Sequence, residues 1–172
     1  TLARQQFDAT DNMTDQFAAL SVLANATGEE GDRALADFYA RWQGEALVVD
    51  KWLAVQSSSR LPGTLARVES LTQHAAFDIR NPNKVYALLR TFGANHRHFH
   101  AADGTGYRFV AEQIVRLDPI NPQVASRLAR SFDRWRRFDS ERQRHSRAAL
   151  ESVRNQPGLS RDVFEVVDKA LS

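Results

Sequence analysis

The chain has 172 residues, enough for one sizeable core and too few to promise two. It has no cysteine, which excludes disulfides, cysteine metal sites and a cysteine nucleophile and fits a reducing, cytoplasmic setting. Its net charge of +2 is unevenly spread: residues 1–80 hold 7 Lys/Arg against 11 Asp/Glu, and residues 81–172 hold 16 against 10. A basic second half suits phosphate, lipid or an acidic protein surface, but it lacks the interleaved exposed aromatics of a single-strand nucleic-acid groove, so nucleic acid is not expected. No apolar run reaches the roughly 18–20 residues needed to span a bilayer, so no membrane partner is expected either.

In chain order the apolar residues recur at three and four, not two, and all five prolines sit where helices would start or stop. The first predicted helix runs from about Asn12 to Ala26, with Met13, Phe17, Leu20 and Ala24 on its buried face and no partner before it. The second follows Asp32 and buries Leu35, Phe38, Tyr39 and Trp42; Gly44 ends it. The third, Glu45 to Ser57, is apolar on most sides (Leu47, Val48, Val49, Trp52, Leu53, Val55) and should be central. After the loop Ser57–Gly63, Thr64 can cap a fourth helix burying Leu65, Val68 and Leu71.

Asn81-Pro82 and Asn121-Pro122 stand forty positions apart. Asn caps a helix through its side-chain oxygen, and Pro suits the first helical position because its φ is preset. The fifth predicted helix therefore starts at Asn81 and buries Val85, Leu88, Leu89 and Phe92. A loop from Gly93 to Thr105 follows, with one turn around His96–His100. The sixth buries Tyr107, Val110, Ile114 and Leu117. The seventh, from Asn121, turns Val124, Leu128, Phe132 and Trp135 inward. The eighth, about Ser140 to Asn155, is mostly charged, with Ala148, Leu150 and Val153 its apolar residues. Ser160 caps the last, with Val163, Phe164, Val167 and Leu171 inward. Paired helices at a period of about forty residues predict an all-α fold: an armadillo/HEAT-like α-solenoid of about nine helices, one domain over 1–172.

Three features invite a chemical reading. His96, His98 and His100, with His74 and Asp103 nearby, offer an i, i+4 pair to a metal, but the order H-R-H-F-H puts Arg97 where a zinc hydrolase helix carries its Glu; a polar loop is the alternative, and no metal site is expected. Asp103-Gly104-Thr105-Gly106 precedes a helix as an anion cradle does, yet it lacks the dinucleotide spacing and the P-loop Lys, and a capped turn is the favoured reading. On the seventh helix Gln123, Arg127, Arg130, Arg134 and Arg137 fall at spacings of four and three and form a polar stripe. Its first two members lie near the helix start, where dipole and guanidinium together favour a carboxylate; a solvated face is the bland alternative. No catalytic constellation assembles.

Five motifs then stand in register: Asp11-Asn12-Met13-Thr14-Asp15 with Phe17-Ala18-Ala19-Leu20, Ala46-Leu47-Val48-Val49-Asp50-Lys51-Trp52, Asn81-Pro82-Asn83, Phe99-His100-Ala101-Ala102-Asp103-Gly104-Thr105-Gly106-Tyr107, and Asn121-Pro122-Gln123-Val124-Ala125-Ser126-Arg127-Leu128. Their order and spacing resemble the C-terminal helical domain of bacterial aminopeptidase N, across essentially the whole chain. The resemblance implies a parent zinc peptidase that removes N-terminal residues from peptides. Its catalytic motifs are absent here, so zinc would reside in the parent, and the preceding domains and peptide substrates would be this domain's partners. It also implies that Gln123 and Arg127 occupy substrate-contacting positions, and that a third such position, often Arg, is Tyr86 here. The rival readings are a free-standing basic helical scaffold for an acidic protein or nucleic acid, and a small histidine-site metalloprotein.

Overall fold

A computed structural model describes all of residues 1–172. The architecture is all-helical with no strand. Its helices are α1 (Leu2–Ala9), α2 (Met13–Leu23), α3 (Glu29–Trp42), α4 (Ala46–Ser57), α5 (Thr64–Leu71), α6 (residues 82–94), α7 (His96–Phe99), α8 (Thr105–Leu117), α9 (Pro122–Ala129), α10 (Ser140–Arg154) and α11 (Arg161–Leu171). That makes eleven, not about nine. The extra ones are α1 and the single-turn α7.

Capping chemistry sets many of the helix starts. The side chains of Asn12, Asn81, Asn121, Asp139 and Ser160 each accept a hydrogen bond from a first-turn N–H, and each such cap is worth about 1 kcal/mol. The fourth predicted helix departs from this pattern. Gly63, at φ 82°, precedes α5, and the Thr64 hydroxyl instead donates backward to the Leu61 carbonyl at 2.8 Å.

Successive helices pack in order, α1 on α2, α2 on α3 and α3 on α4. The first predicted helix, observed as α2, thus has a partner before it, contrary to expectation. Phe7 fills that contact, and Arg4 pairs with Asp8 within α1 and ties that helix to Asp37 of α3. Central α4 touches α3, α5 and α6. Trp52 donates from Nε1 to the Leu35 carbonyl at 2.8 Å, and Asp50 receives the buried Lys84 ammonium of α6 at 2.7 Å. In the second half α8 packs on α7, α9 and α10, and α11 closes against α9 and α10. A contiguous core of 36 residues runs from Phe7 to Val167.

The expected apolar faces hold apart from single positions in first turns and, on α10, in mid-helix. Leu47 is 72% exposed in the first turn of α4, Phe164 is 44% exposed, and on α10 the inward alanine is Ala149, with Ala148 exposed. Leu65 is only partly buried. Each miss is a phase error of about one residue, which turns a helical side chain by about 100°.

The seventh predicted helix also ends early. The α-helix stops at Ala129, tightens into 3₁₀ turns at Arg130–Phe132 and Trp135–Arg137, and bends toward α11. The bend still buries Phe132 and Trp135, and it lets Trp135 Nε1 donate to the Ala170 carbonyl at 3.0 Å. Arg136 also donates to the Ala170 carbonyl and to that of Leu171, satisfying acceptors left open at the end of α11. The arginine stripe is therefore interrupted after Arg127 and is not one continuous face.

Candidate functional site

Helix α6 begins as an α-helix at Pro82–Val85, widens into a π turn over Tyr86–Arg90, and resumes α geometry at Thr91–Ala94. Thr91 Oγ1 donates to the Tyr86 carbonyl at 3.2 Å and occupies an acceptor in the widened turn. Leu88 and Leu89 remain fully buried within it. Such turns place a side chain where a regular helix would not, and they recur at functional positions.

Tyr86 stands at the start of this turn and meets α9. Arg127 donates from Nη1 to the Tyr86 hydroxyl oxygen at 3.0 Å, across 41 positions of sequence. Arg90, at the turn's other end, lies over the Tyr86 ring with its guanidinium carbon 5.7 Å from the centroid. The phenol thus takes a cation on its ring and another at its oxygen. A cation–π contact of this kind contributes about 0.5–1 kcal/mol at an exposed site. Arg127 is exposed and makes no ion pair, so its fork keeps free N–H donors for an incoming acceptor. Gln123, one turn earlier, is exposed and presents its amide to solvent; its own carbonyl accepts from Ser126 Oγ at 2.9 Å. The structure therefore joins two of the three expected site residues directly, with the third at i−4 on the same helix. The arrangement can hold a carboxylate or a peptide carbonyl. It contains no base or nucleophile placed for bond cleavage.

The histidines do not converge. His100 is buried, with Nδ1 2.7 Å from the Tyr107 hydroxyl and its ring stacked on Phe138 at 3.7 Å. His96 meets it edge-on at 5.4 Å between centroids, while His98 Nε2 is buried without a partner. His74 accepts at Nδ1 from the Ala76 N–H and packs on Tyr39 and Trp52. No three His, Asp or Glu side chains come together in a way that could hold a metal ion. The residues of this chain do not fit a zinc site.

Burial, then repulsion from His96 and from Arg142, pushes the His100 imidazole down to about 4 from an ordinary 6.5. The unfolded chain therefore binds the extra proton first as pH falls. Stability should be fully present above pH 6.5, fall between 6.5 and about 4, and level off below. Denaturant unfolding at a series of pH values checks this. In His100→Gln the slope within that window should flatten.

The glycine-rich turn is a structural device. Asp103 Oδ1 accepts from the Thr105 N–H at 3.0 Å and from its hydroxyl at 2.7 Å. Those bonds hold the Asp103 carboxyl below the usual carboxylate range. Gly104 takes φ 71°, and Gly106 lets α8 approach the backbone of α7.

Comparison with known proteins bears on this surface. The aminopeptidase N of Haemophilus influenzae is 41% identical and that of Escherichia coli 40%, each over 99% of this chain and 20% of the relative. That of Caulobacter vibrioides is 41% identical over 96% of this chain and 19% of its own length. The chain thus spans about a fifth of the curated relatives it matches. A crystal structure of Legionella pneumophila aminopeptidase A in complex with aspartic acid superposes with a TM-score of 0.93 at 37% identity, over 98% of this chain and 20% of that one. The likeness to bacterial aminopeptidase N read from five motifs therefore extends along the whole chain. The family described as Domain of unknown function (DUF3458_C) ARM repeats matches residues 1–172, and the chain belongs to it.

Proposed function

We propose that residues 1–172 are a single helical-repeat domain of a zinc-dependent aminopeptidase N that removes N-terminal residues from peptides in the cytoplasm. The domain lines the substrate path and leaves catalysis to the rest of the parent. The observation that carries this reading is whole-chain similarity, at about 40% identity, to one fifth of aminopeptidase N. It also counts against a free-standing scaffold, since the relatives carry this fold as part of a much longer chain. Zinc belongs to the parent's other domains. The parent's remaining domains are the expected protein partners, and the exposed Leu2, Val22 and Leu47, all within the first four helices, are apolar surface suited to such contacts. No helix is long and apolar enough to cross a membrane.

Within this reading Arg127 grips the peptide downstream of the scissile bond. Tyr86 orients Arg127 where a second arginine would otherwise add charge, and Gln123 offers an amide one turn away. The test compares the 172-residue chain with the same segment expressed together with its flanking reading frame. The longer product should release N-terminal residues and lose that activity to a zinc chelator, while the 172-residue chain releases none. Hydrolysis by the shorter chain, or none by the longer, refutes the assignment.

A further inference from the structure

Half of the chain's twenty arginines are neutralised in ion pairs. Arg41, Arg108, Arg116, Arg127 and Arg136 donate to neutral oxygens, and Arg90 lies over Tyr86. Four guanidiniums have no partner: Arg60, Arg97, Arg134 and Arg137. Arg60 and Arg97 share a site. Two adjoining clefts of about 520 and 440 Å³ meet at Ser58, Arg60 and Arg97. His96 and Asn95 line the first, and Asn25 lines the second. Neither contains an Asp or Glu.

The walls are held from several sides. Buried Asn95 donates from Nδ2 to the Ser57 carbonyl at 2.9 Å and to the Ser59 carbonyl at 2.8 Å, pinning the loop that carries Arg60 to the segment that carries Arg97. The Arg60 N–H donates to Asn25 Oδ1 at 3.0 Å, and Ser59 Oγ donates to the Ala24 carbonyl at 3.3 Å. Three separate stretches of chain thus converge on a polar cleft lined by two uncompensated cations. Like charges placed together on a fixed backbone repel one another, and a bound anion relieves that repulsion. Two planar forks match the oxygens and the double charge of a phosphate group.

We propose that the cleft between Arg60 and Arg97 binds a phosphate-type dianion, either as the free ion or as a small phosphomonoester. The site is separate from the Tyr86–Arg127 pair and does not depend on the peptidase reading.

Isothermal titration of the 172-residue chain at low ionic strength, with inorganic phosphate and with glycerol 2-phosphate, tests this, and acetate serves as the monovalent control. Phosphate should bind saturably and more tightly than acetate, and added sodium chloride should weaken it. Arg60→Gln and Arg97→Gln should each weaken it about fivefold or more, the loss of one partly screened charge-assisted bond. Arg134→Gln, which removes an equally unpartnered guanidinium elsewhere, should leave binding unchanged. Tighter binding of glycerol 2-phosphate than of inorganic phosphate would identify an esterified ligand, and the reverse order the free ion; both support the site. Circular dichroism checks that the exposed substitutions leave the fold intact. A flat phosphate isotherm, or equal losses in all three variants, would overturn the proposal.

Discussion

Replacing Gly106 with alanine should lower the stability of the domain by about 3 kcal/mol, the upper end of ordinary overpacking effects. In a helix the change alone would favour folding by about 0.5–1 kcal/mol, because alanine loses less backbone freedom. Here the added Cβ would lie 2.5 Å from the Phe99 carbonyl oxygen and closer still to that of His98. Both obstacles are backbone, so no rotamer change relieves the clash, and α8 must move off α7. That motion would pull fully buried Tyr107 away from Phe99 and Phe132. Thermal unfolding should show a midpoint lower by about 6–12 °C for a chain of this size. Gly44→Ala is the matched control: a Cβ added there would meet nothing within 4 Å, so it should shift stability by about 0.5 kcal/mol or less. If Gly106→Ala is as stable as the unsubstituted chain, the close approach of the two helices does not constrain the fold.

On the proposed function, the second large effect is expected at Arg127 in the parent aminopeptidase. Arg127→Ala should raise KM for short peptides about tenfold, the equivalent of one charge-assisted hydrogen bond lost in a wet site. It should leave kcat for an aminoacyl anilide nearly unchanged, because that substrate has no residue downstream of the cleaved bond. Tyr86→Phe should act in the same direction but less strongly. The substitution frees the guanidinium at 3.0 Å from its hydroxyl partner without removing the charge. Equal loss of kcat on both substrates would mean that Arg127 supports the architecture; no change on either would leave it a solvated side chain.

How much of this is legible in the sequence depends on the range of the interaction. Asn12, Asn81, Asn121 and Ser160 cap helices through neighbours two or three positions away, so local chemistry is enough to place those starts. Helix α1 escapes a sequence reading because TLARQQFDAT buries a single large side chain, Phe7, and is otherwise held by charges reaching α3. The break after Ala129 is invisible for a different reason. No Gly or Pro marks it, and its cause is the docking of Trp135 and Arg136 onto the end of α11, some 35 positions away. The candidate site shows the same division. Gln123 and Arg127 are visible as an i, i+4 pair, and Tyr86 stands out only through a family resemblance. That Tyr86 and Arg127 are bonded to each other follows from the packing of two helices whose sequences carry no sign of it.

The π turn in α6 makes that helix tolerant of a change in its number of residues. A π turn accommodates one more residue than an α turn over the same length. Deleting a single residue from Ala87 to Leu89 would let α6 close into a regular α-helix while the segments on either side keep their facing. Val85 and Lys84 would stay locked into the core and onto Asp50, and Tyr86 beside them would stay within reach of Arg127. The same deletion in a regular helix would turn one segment by about 100° against the other. Length variation at that point would therefore cost a packed side chain while leaving the Tyr86–Arg127 pair joined.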